Sequence, residues 1–310
     1  MKKFIQNILL FLLSIIIFLV VFDYSVSFQL REGRGSSPFW RGIFSGDLKN
    51  DVVIMGSSRA KRQFNPYILD SMLNINSYNM GVDGRFIKSQ ILTYNAYQRS
   101  NGKPKFIIQN IDYSTIDTDN AFEREMYFPY FNDKTFRNEV VEIESLSLAD
   151  KYMPGIRYSG YFHKILLKMK FKNRGRDIDT KGFVNNYTKW DGSLLEKLTE
   201  IDYSQDSLAL YSFDKYLSKA YSDNIKIIFV YSPIYIGATK KIKNIEGMYQ
   251  MYDSIAKKYD IPILDYNYDA ICYDTIYFYN ATHLNRKGAD LFSLKFANDI
   301  DSLGLLKEKN

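Results

Sequence analysis

Short, almost wholly apolar runs recur along this chain, each followed by a segment with helical spacing. The five runs are Asp51–Met55, Ser77–Met80, Lys105–Ile111, Ile225–Tyr231 and Ile261–Asp265. Between them, Asn65-Pro66 opens a helix through Met72 and Leu73, and Ile87, Ile91, Leu92 and Tyr94 recur at three-to-four spacing. Leu208–Tyr221 and Glu246–Tyr259 read as further helices, and Lys287–Ile300 as the last. Strands that are apolar on both faces must be buried on both, so the alternation predicts a parallel sheet covered by helices on either side. In such open sheets the sites form at the C-terminal ends of the strands. Gly56-Ser57-Ser58, Gly81 and Asn110 each stand at such an end.

Residues 115 to about 205 interrupt this rhythm. They hold Tyr127, Phe128, Tyr130 and Phe131, a basic stretch between Lys164 and Lys181, and Trp190. The segment reads as an insertion between the third and fourth strands, either a source of substrate contacts or a structural cap. The 26 Tyr and 22 Phe of the chain fit an aromatic-rich core better than an aromatic groove, given the usual burial of these rings. Net charge is +6, much of it from Lys168, Lys170, Lys172, Arg174 and Arg176. No nucleic-acid-binding module accompanies these residues, so the stretch reads as a solvated face, or as a patch turned to anionic envelope polymers or lipid headgroups.

At the N-terminus, Lys2 and Lys3 precede a run from Ile8 to Phe22 whose only polar residue is Ser14. Counted from Phe4, this segment is about 28 Å long as a helix, close to the ~30 Å hydrocarbon core of a bilayer. Positive charge on the short side predicts that this side stays in the cytoplasm and the rest is exported. An uncleaved signal anchor fits better than a cleaved signal peptide, because no Ala-x-Ala site follows Ser25 and Ser27. The expected organisation is a membrane helix at 1–27, a juxtamembrane linker at 28–50, and an α/β domain at 51–305 carrying the insertion. Cys272, the only cysteine, allows neither an internal disulfide nor a redox pair and reads as a packed small hydrophobe. With two histidines and no carboxylate cluster at ligand spacing, neither a metal nor a cofactor is expected.

One of those histidines, His283, lies in Phe278-Tyr279-Asn280-Ala281-Thr282-His283-Leu284-Asn285, just before the last helix. A serine hydroxyl is a poor nucleophile until a base takes its proton, and an imidazole so placed suits that task. The imidazole in turn needs an acceptor to hold its tautomer, and the tetrahedral intermediate needs preorganised donors. Ser58 stands where a strand breaks into a turn and helix, so its hydroxyl and its N–H can face one space. Alone, Gly-Ser-Ser reads more readily as an N-capping turn. A second copy of the motif, Gly35-Ser36-Ser37, has no strand before it and Pro38 after it. The other histidine, His163, falls in the insertion and reads as a surface or cap residue.

Together these blocks resemble the SGNH hydrolase superfamily, the GDSL esterases and lipases, over about residues 51–112 and 225–300. In that family a Gly-Asp-Ser block after the first strand carries the nucleophile, and an Asp-x-x-His block before the last helix carries the acid and base. The resemblance implies a flavodoxin-like three-layer sandwich with a central parallel sheet of about five strands. It also implies Ser58 as nucleophile in a Gly-Ser-Ser variant, His283 as base, and an oxyanion hole from Ser58, Gly81 and Asn110, with Gly84 as a substitute for Gly81.

Asn280 stands where the family has its Asp. An amide oxygen can orient the imidazole but cannot stabilise the imidazolium by charge, and in a serine protease the same exchange costs about 10⁴ in kcat. Three readings follow: Asn280 orients a Ser-His dyad, Asp274 or Asp265 takes over, or hydrolysis has been lost and binding kept.

Membrane-anchored relatives with a Gly-Ser-Ser block look like proteins that add or remove acyl groups on envelope polymers, such as alginate O-acetylation proteins and the D-alanyl transfer protein of teichoic acids. The implied function is an extracytoplasmic acyl-ester hydrolase or O-acyltransferase, acting on an acylated glycan or small ester through acyl-Ser58. Polysaccharide-modification proteins are its implied partners, and nucleic acid is not among them. The alternative is an inactive protein of this fold that binds envelope carbohydrate or assists its assembly.

Overall fold

The computed structural model describes residues 1–33, 36–117, 124–144, 146–170, 181–193, 195 and 200–306. Gly35 and most of the basic stretch, including Lys172, Arg174 and Arg176, lie outside the described residues. Helices α1 (Lys2–Arg31) and α2 (Pro38–Ser45) precede the first strand, β1 (Val52–Met55). Next come α3 (Ser58–Gln63), α4 (Pro66–Leu73), β2 (Ser77–Asn79), α5 (Ile87–Asn101) and β3 (Phe106–Asn110). The insertion contains α6 (Lys134–Ile143), α7 (Leu148–Tyr152) and α8 (Phe162–Lys170). It is followed by β4 (Ile201–Asp202), α9 (Ser207–Ser222), β5 (Lys226–Tyr231), α10 (Ile236–Thr239), β6 (Ile242–Lys243) and α11 (Ile245–Tyr259). The chain closes through β7 (Ile263–Asp265), β8 (Phe278–Asn280), β9 (His283–Leu284) and α12 (Arg286–Ser302).

These elements divide between two compact units, Met1–Gly42 with Asn120–Arg176, and Ile43–Asp119 with Asp177–Asn310. The second unit is built on a five-stranded sheet of order β2-β1-β3-β5-β7, with every neighbouring pair parallel. This is the flavodoxin-like order, with its switch point between β1 and β3, where ligands gather in open α/β sheets. The five apolar runs are these five strands, each within a residue or two of its expected bounds.

Burial on both faces explains why the runs are apolar throughout rather than alternating. Val52, Ile54, Phe106, Ile108, Ile228 and Val230 face one core with Phe64, Leu69, Phe292 and Phe296. There Phe64 meets Phe292 and Phe296 edge to face, with centroids 5.0 and 5.3 Å apart. On the opposite face Phe229 packs against Phe213 and Tyr252 of α9 and α11. Cys272 is fully buried, with its Sγ 3.1 Å from the Tyr266 carbonyl, and burial pushes its thiol up to about 12.

In the first unit, the aromatics of the insertion form a core of their own. Trp40 sits among Tyr127, Tyr130 and Phe136, and Phe128 packs edge to face on Tyr158. Helix α1 is long and apolar enough to cross a membrane. It runs to Arg31, and α2 lies inside the stretch read as a linker. Val26, Ser27 and Leu30 of α1 are buried, and Ser27 Oγ lies 2.7 Å from the Tyr158 hydroxyl.

Candidate active site

Strand β1 delivers the serine through a turn that only glycine fits. Gly56 has φ +151°, and a Cβ there would stand 2.6 Å from the Ala60 Cβ and 3.0 Å from that of Asn110. Helix α3 then opens at Ser58 with Ser57 as its N-cap. Ser58 is therefore in the first helical turn, whose N–H groups have no partner within the helix. Gly81, just past β2, packs directly on this turn, since a Cβ there would lie 2.3 Å from the Lys61 amide and 2.9 Å from the Ser57 carbonyl. The ends of β1, β2 and β3 thus converge on the first turn of α3.

His283 reaches the same place from the other end of the sequence. Its Nε2 lies 2.7 Å from Ser58 Oγ, 225 residues away in the chain. Its Nδ1 lies 3.0 Å from Asn280 Oδ1 and 3.0 Å from Thr282 Oγ1. The backbone N–H groups of Thr282 and His283 also donate to Asn280 Oδ1, each at 3.0 Å, so the Asn280 atom facing the histidine is its oxygen. An acceptor at Nδ1 fixes the proton there and leaves Nε2 to accept from the Ser58 hydroxyl. The Tyr279 ring stacks on the imidazole, with centroids 5.4 Å apart. Asp274 and Asp265, the carboxylates considered as replacements, are engaged elsewhere: Asp274 Oδ1 accepts from Ile276 N and Asp265 Oδ1 from Asn267 N.

The loop that carries His283 is tied from both sides. Gln63, at the end of α3, donates from Nε2 to the carbonyls of Pro233 and Thr282 at 3.0 and 3.3 Å. Asn285 caps α12 by accepting from Gly288 N, and its Nδ2 holds the Ile276 and Phe278 carbonyls. The base and the nucleophile are therefore joined by one short helix as well as by their own hydrogen bond.

Of the remaining site residues, Asn110 ends β3 with 1% exposure, and neither its Oδ1 nor its Nδ2 has a hydrogen-bond partner. An unsatisfied buried amide is costly, and one at a strand end beside a serine is suited to an incoming oxyanion. Gly81 is differently placed. Its N–H already donates to Asn79 Oδ1 at 2.9 Å, while Asn79 Nδ2 holds the Ala60 and Phe64 carbonyls of α3. Gly84 has φ +62° and open space around it. His163 is exposed on α8.

Three features of the site had no signal in the sequence. Arg59 and Asp112 form a buried ion pair behind the nucleophile, at 5% and 2% exposure, and Ser57 Oγ also reaches Asp112, at 3.4 Å. Arg62 and Lys61 share the single carboxylate of Asp83. Burial works to raise the Asp83 carboxyl, yet the Arg62 hydrogen bond and both cations hold it down at about 2. Third, burial, followed by the positive charges of Arg62 and Arg59, pushes the His283 imidazole down to about 3, only partly opposed by Asp83. The histidine is thus neutral, with Nε2 free to accept from Ser58, but its charged form is disfavoured, and among the described residues the hydrogen-bond partners of its Nδ1 are neutral.

No family model and no curated protein matches the chain. Among solved structures it is similar to a protein from Desulfitobacterium hafniense provisionally described as a lipolytic member of the G-D-S-L family, with 13% identity, a TM-score of 0.39, and coverage of 80% of this chain and 97% of that one. A Bacteroides fragilis protein provisionally described as an acylhydrolase gives 13% identity and a TM-score of 0.42 over 86% and 97% of the two chains. One from Streptococcus pneumoniae, provisionally described as a platelet activating factor, gives 10% and 0.42 over 97% and 99%.

Proposed function

We propose that this chain is a serine acyl-ester enzyme in which Ser58 attacks and His283 takes its proton. The observation that carries the reading is the 2.7 Å contact between Ser58 Oγ and His283 Nε2, with Nδ1 held on Asn280. As the Oγ–carbonyl bond forms, the hydroxyl proton passes to Nε2. The developing oxyanion is met by the Ser58 N–H and by the unpartnered Asn110 Nδ2, with Gly81 contributing if its N–H turns from Asn79. The proton then passes to the leaving alcohol, an acyl-Ser58 remains, and water or a sugar hydroxyl completes the cycle. Helix α1 anchors the protein, with Lys2 and Lys3 on the cytoplasmic side and the α/β unit outside, which makes an acylated envelope glycan the substrate class. The domain limits follow the same reading, an anchor, a short connection and an SGNH-like domain with its insertion.

The test is hydrolysis of p-nitrophenyl acetate by the full chain in detergent, beside Ser58→Ala. Turnover that disappears in the variant is the expected result. Equal release by both proteins overturns the assignment of Ser58. A second reading, a carbohydrate-binding protein that has lost hydrolysis, draws on Asn280 and on the cations around His283. It would be favoured by stoichiometric glycan binding with no Ser58-dependent turnover.

A further inference from the structure

Outside α1, the large exposed apolar residues described in the first unit fall in one stretch of the chain, between Leu148 and Leu167. Leu148 and Tyr152 lie on α7, Met153 and Ile156 follow it, and Phe162 and Leu166 lie on α8; exposure runs from 37% at Ile156 to 75% at Leu148. This segment packs on α1, and it does so partly on the apolar portion of that helix. A Cβ on Gly155 would stand 3.2 Å from Leu19 and 3.3 Å from Phe22, and the Phe22 and Phe162 rings are 6.2 Å apart. The polar portion of α1 begins at Asp23, the first charged residue after Lys3. Its carboxylate accepts from the Arg157 guanidinium and, at 2.8 Å, from Gly155 N.

Leu19 precedes Asp23 by one helical turn, about 6 Å along the axis. The 155–162 segment therefore meets α1 about one turn inside the point where α1 becomes polar. Interfacial helices lie at this depth, about 5–10 Å into the boundary between headgroups and acyl chains. On α8 the exposed Phe162 and Leu166 flank Ile165, which is buried, and the exposed His163 and Lys164 lie away from them, Lys164 3.7 Å from the Glu125 carboxylate. An apolar patch of this extent facing water would invite association.

We infer that α7, the turn at 153–156 and α8 form a shelf embedded in the bilayer leaflet at the C-terminal end of α1. Its occupant is lipid, because the apolar surface is continuous with that of the anchor helix. The inference rests on reading α1 as a membrane span, and the experiment separates the two.

The full chain is reconstituted into phosphatidylethanolamine–phosphatidylglycerol vesicles with a nitroxide on Leu148→Cys, Leu166→Cys, Ile16→Cys or Leu208→Cys. Cys272 is fully buried and needs no replacement. Collision with oxygen is compared with collision with a water-soluble nickel chelate. Leu148 and Leu166 are expected to join Ile16 in favouring oxygen several-fold over the exposed control at Leu208. Oxygen preference at Ile16 alone overturns the shelf and leaves the anchor standing. Nickel access at Ile16 overturns the anchor and the shelf with it. Spin–spin broadening between labels on two molecules at Leu148 or Leu166 assigns the face to a second copy and equally overturns the inference.

Discussion

At the residue scale the site turns on a single amide. Asn280 Oδ1 already receives two backbone N–H groups and the imidazole Nδ1, all at 3.0 Å. A carboxylate oxygen could occupy the same position without rearrangement, so Asn280→Asp should fold normally and raise kcat tenfold or more, given the ~10⁴ that separates Asp from Asn in a serine protease. The imidazolium would gain a counter-charge, and the acid limb of the kcat/KM profile should move to higher pH. Steady-state rates on p-nitrophenyl acetate from pH 4 to 8 measure both. An unchanged rate would mean that Asn280 does not limit catalysis.

The wild-type histidine makes a second prediction. Its pKa falls from 6.5 to about 3 in the folded protein, so between these values the unfolded chain binds the extra proton. Stability from this group is complete above about 6.5 and is lost as the pH falls towards 3. His283→Gln should remove that part of the acid sensitivity, read as a smaller drop in Tm between pH 7 and pH 4.5.

At the scale of elements, α3 carries Ser58 and its neighbouring cations, and Gly81 is where its placement is most exposed to change. A Cβ at 2.3 Å from the Lys61 amide would push the helix, so Gly81→Ala should cut turnover at least a hundredfold while far-UV circular dichroism stays near wild type. Asn285→Ala removes a cap and two hydrogen bonds from the loop that carries His283. A loss of about 2–3 kcal/mol is expected from a cap and buried bonds of this kind, measured by urea unfolding.

The same elements show how far the sequence could be read. The five strands, the Gly-Ser-Ser turn and the loop around His283 were legible because each is a local pattern with a local cause. The apolar runs are buried on two faces, and Gly56 has no room for a side chain. What escaped was set by pairs distant in the chain, Arg59 with Asp112 and Gln63 with the Pro233 and Thr282 carbonyls. Asn79 is only two residues from Gly81, but the turn of its amide towards the Gly81 N–H depends on how β2 meets α3. Thr282, beside His283, went unnoticed because a hydroxyl in a loop carries no periodic signal. Helix α2 went unnoticed because Gly and Ser around it read as linker.

At the scale of the whole molecule, the candidate chemistry and the long apolar helix belong to different units. Ser58, Asn110, Asn280 and His283 lie in the second unit, whereas α1 and the greater part of the insertion form the first. The first unit depends on the buried pair Asp23 and Arg157, at 6% and 9% exposure. Two buried charges contribute little net stability together, but removing one strands the other at a cost of about 3–5 kcal/mol. Arg157→Met should therefore loosen the insertion, seen as faster trypsin cleavage within residues 134–164 of the full chain in vesicles. Asp23→Leu with Arg157→Met should restore much of the resistance, because the stranded carboxylate is gone. Turnover of a small soluble ester should stay within about twofold of wild type in both variants, since Ser58 meets His283, and His283 meets Asn280 and Thr282, inside the second unit. A parallel loss of turnover in Arg157→Met, recovered in the double variant, would show instead that the insertion supports the catalytic centre, the role of substrate contact or cap that its aromatic residues first suggested.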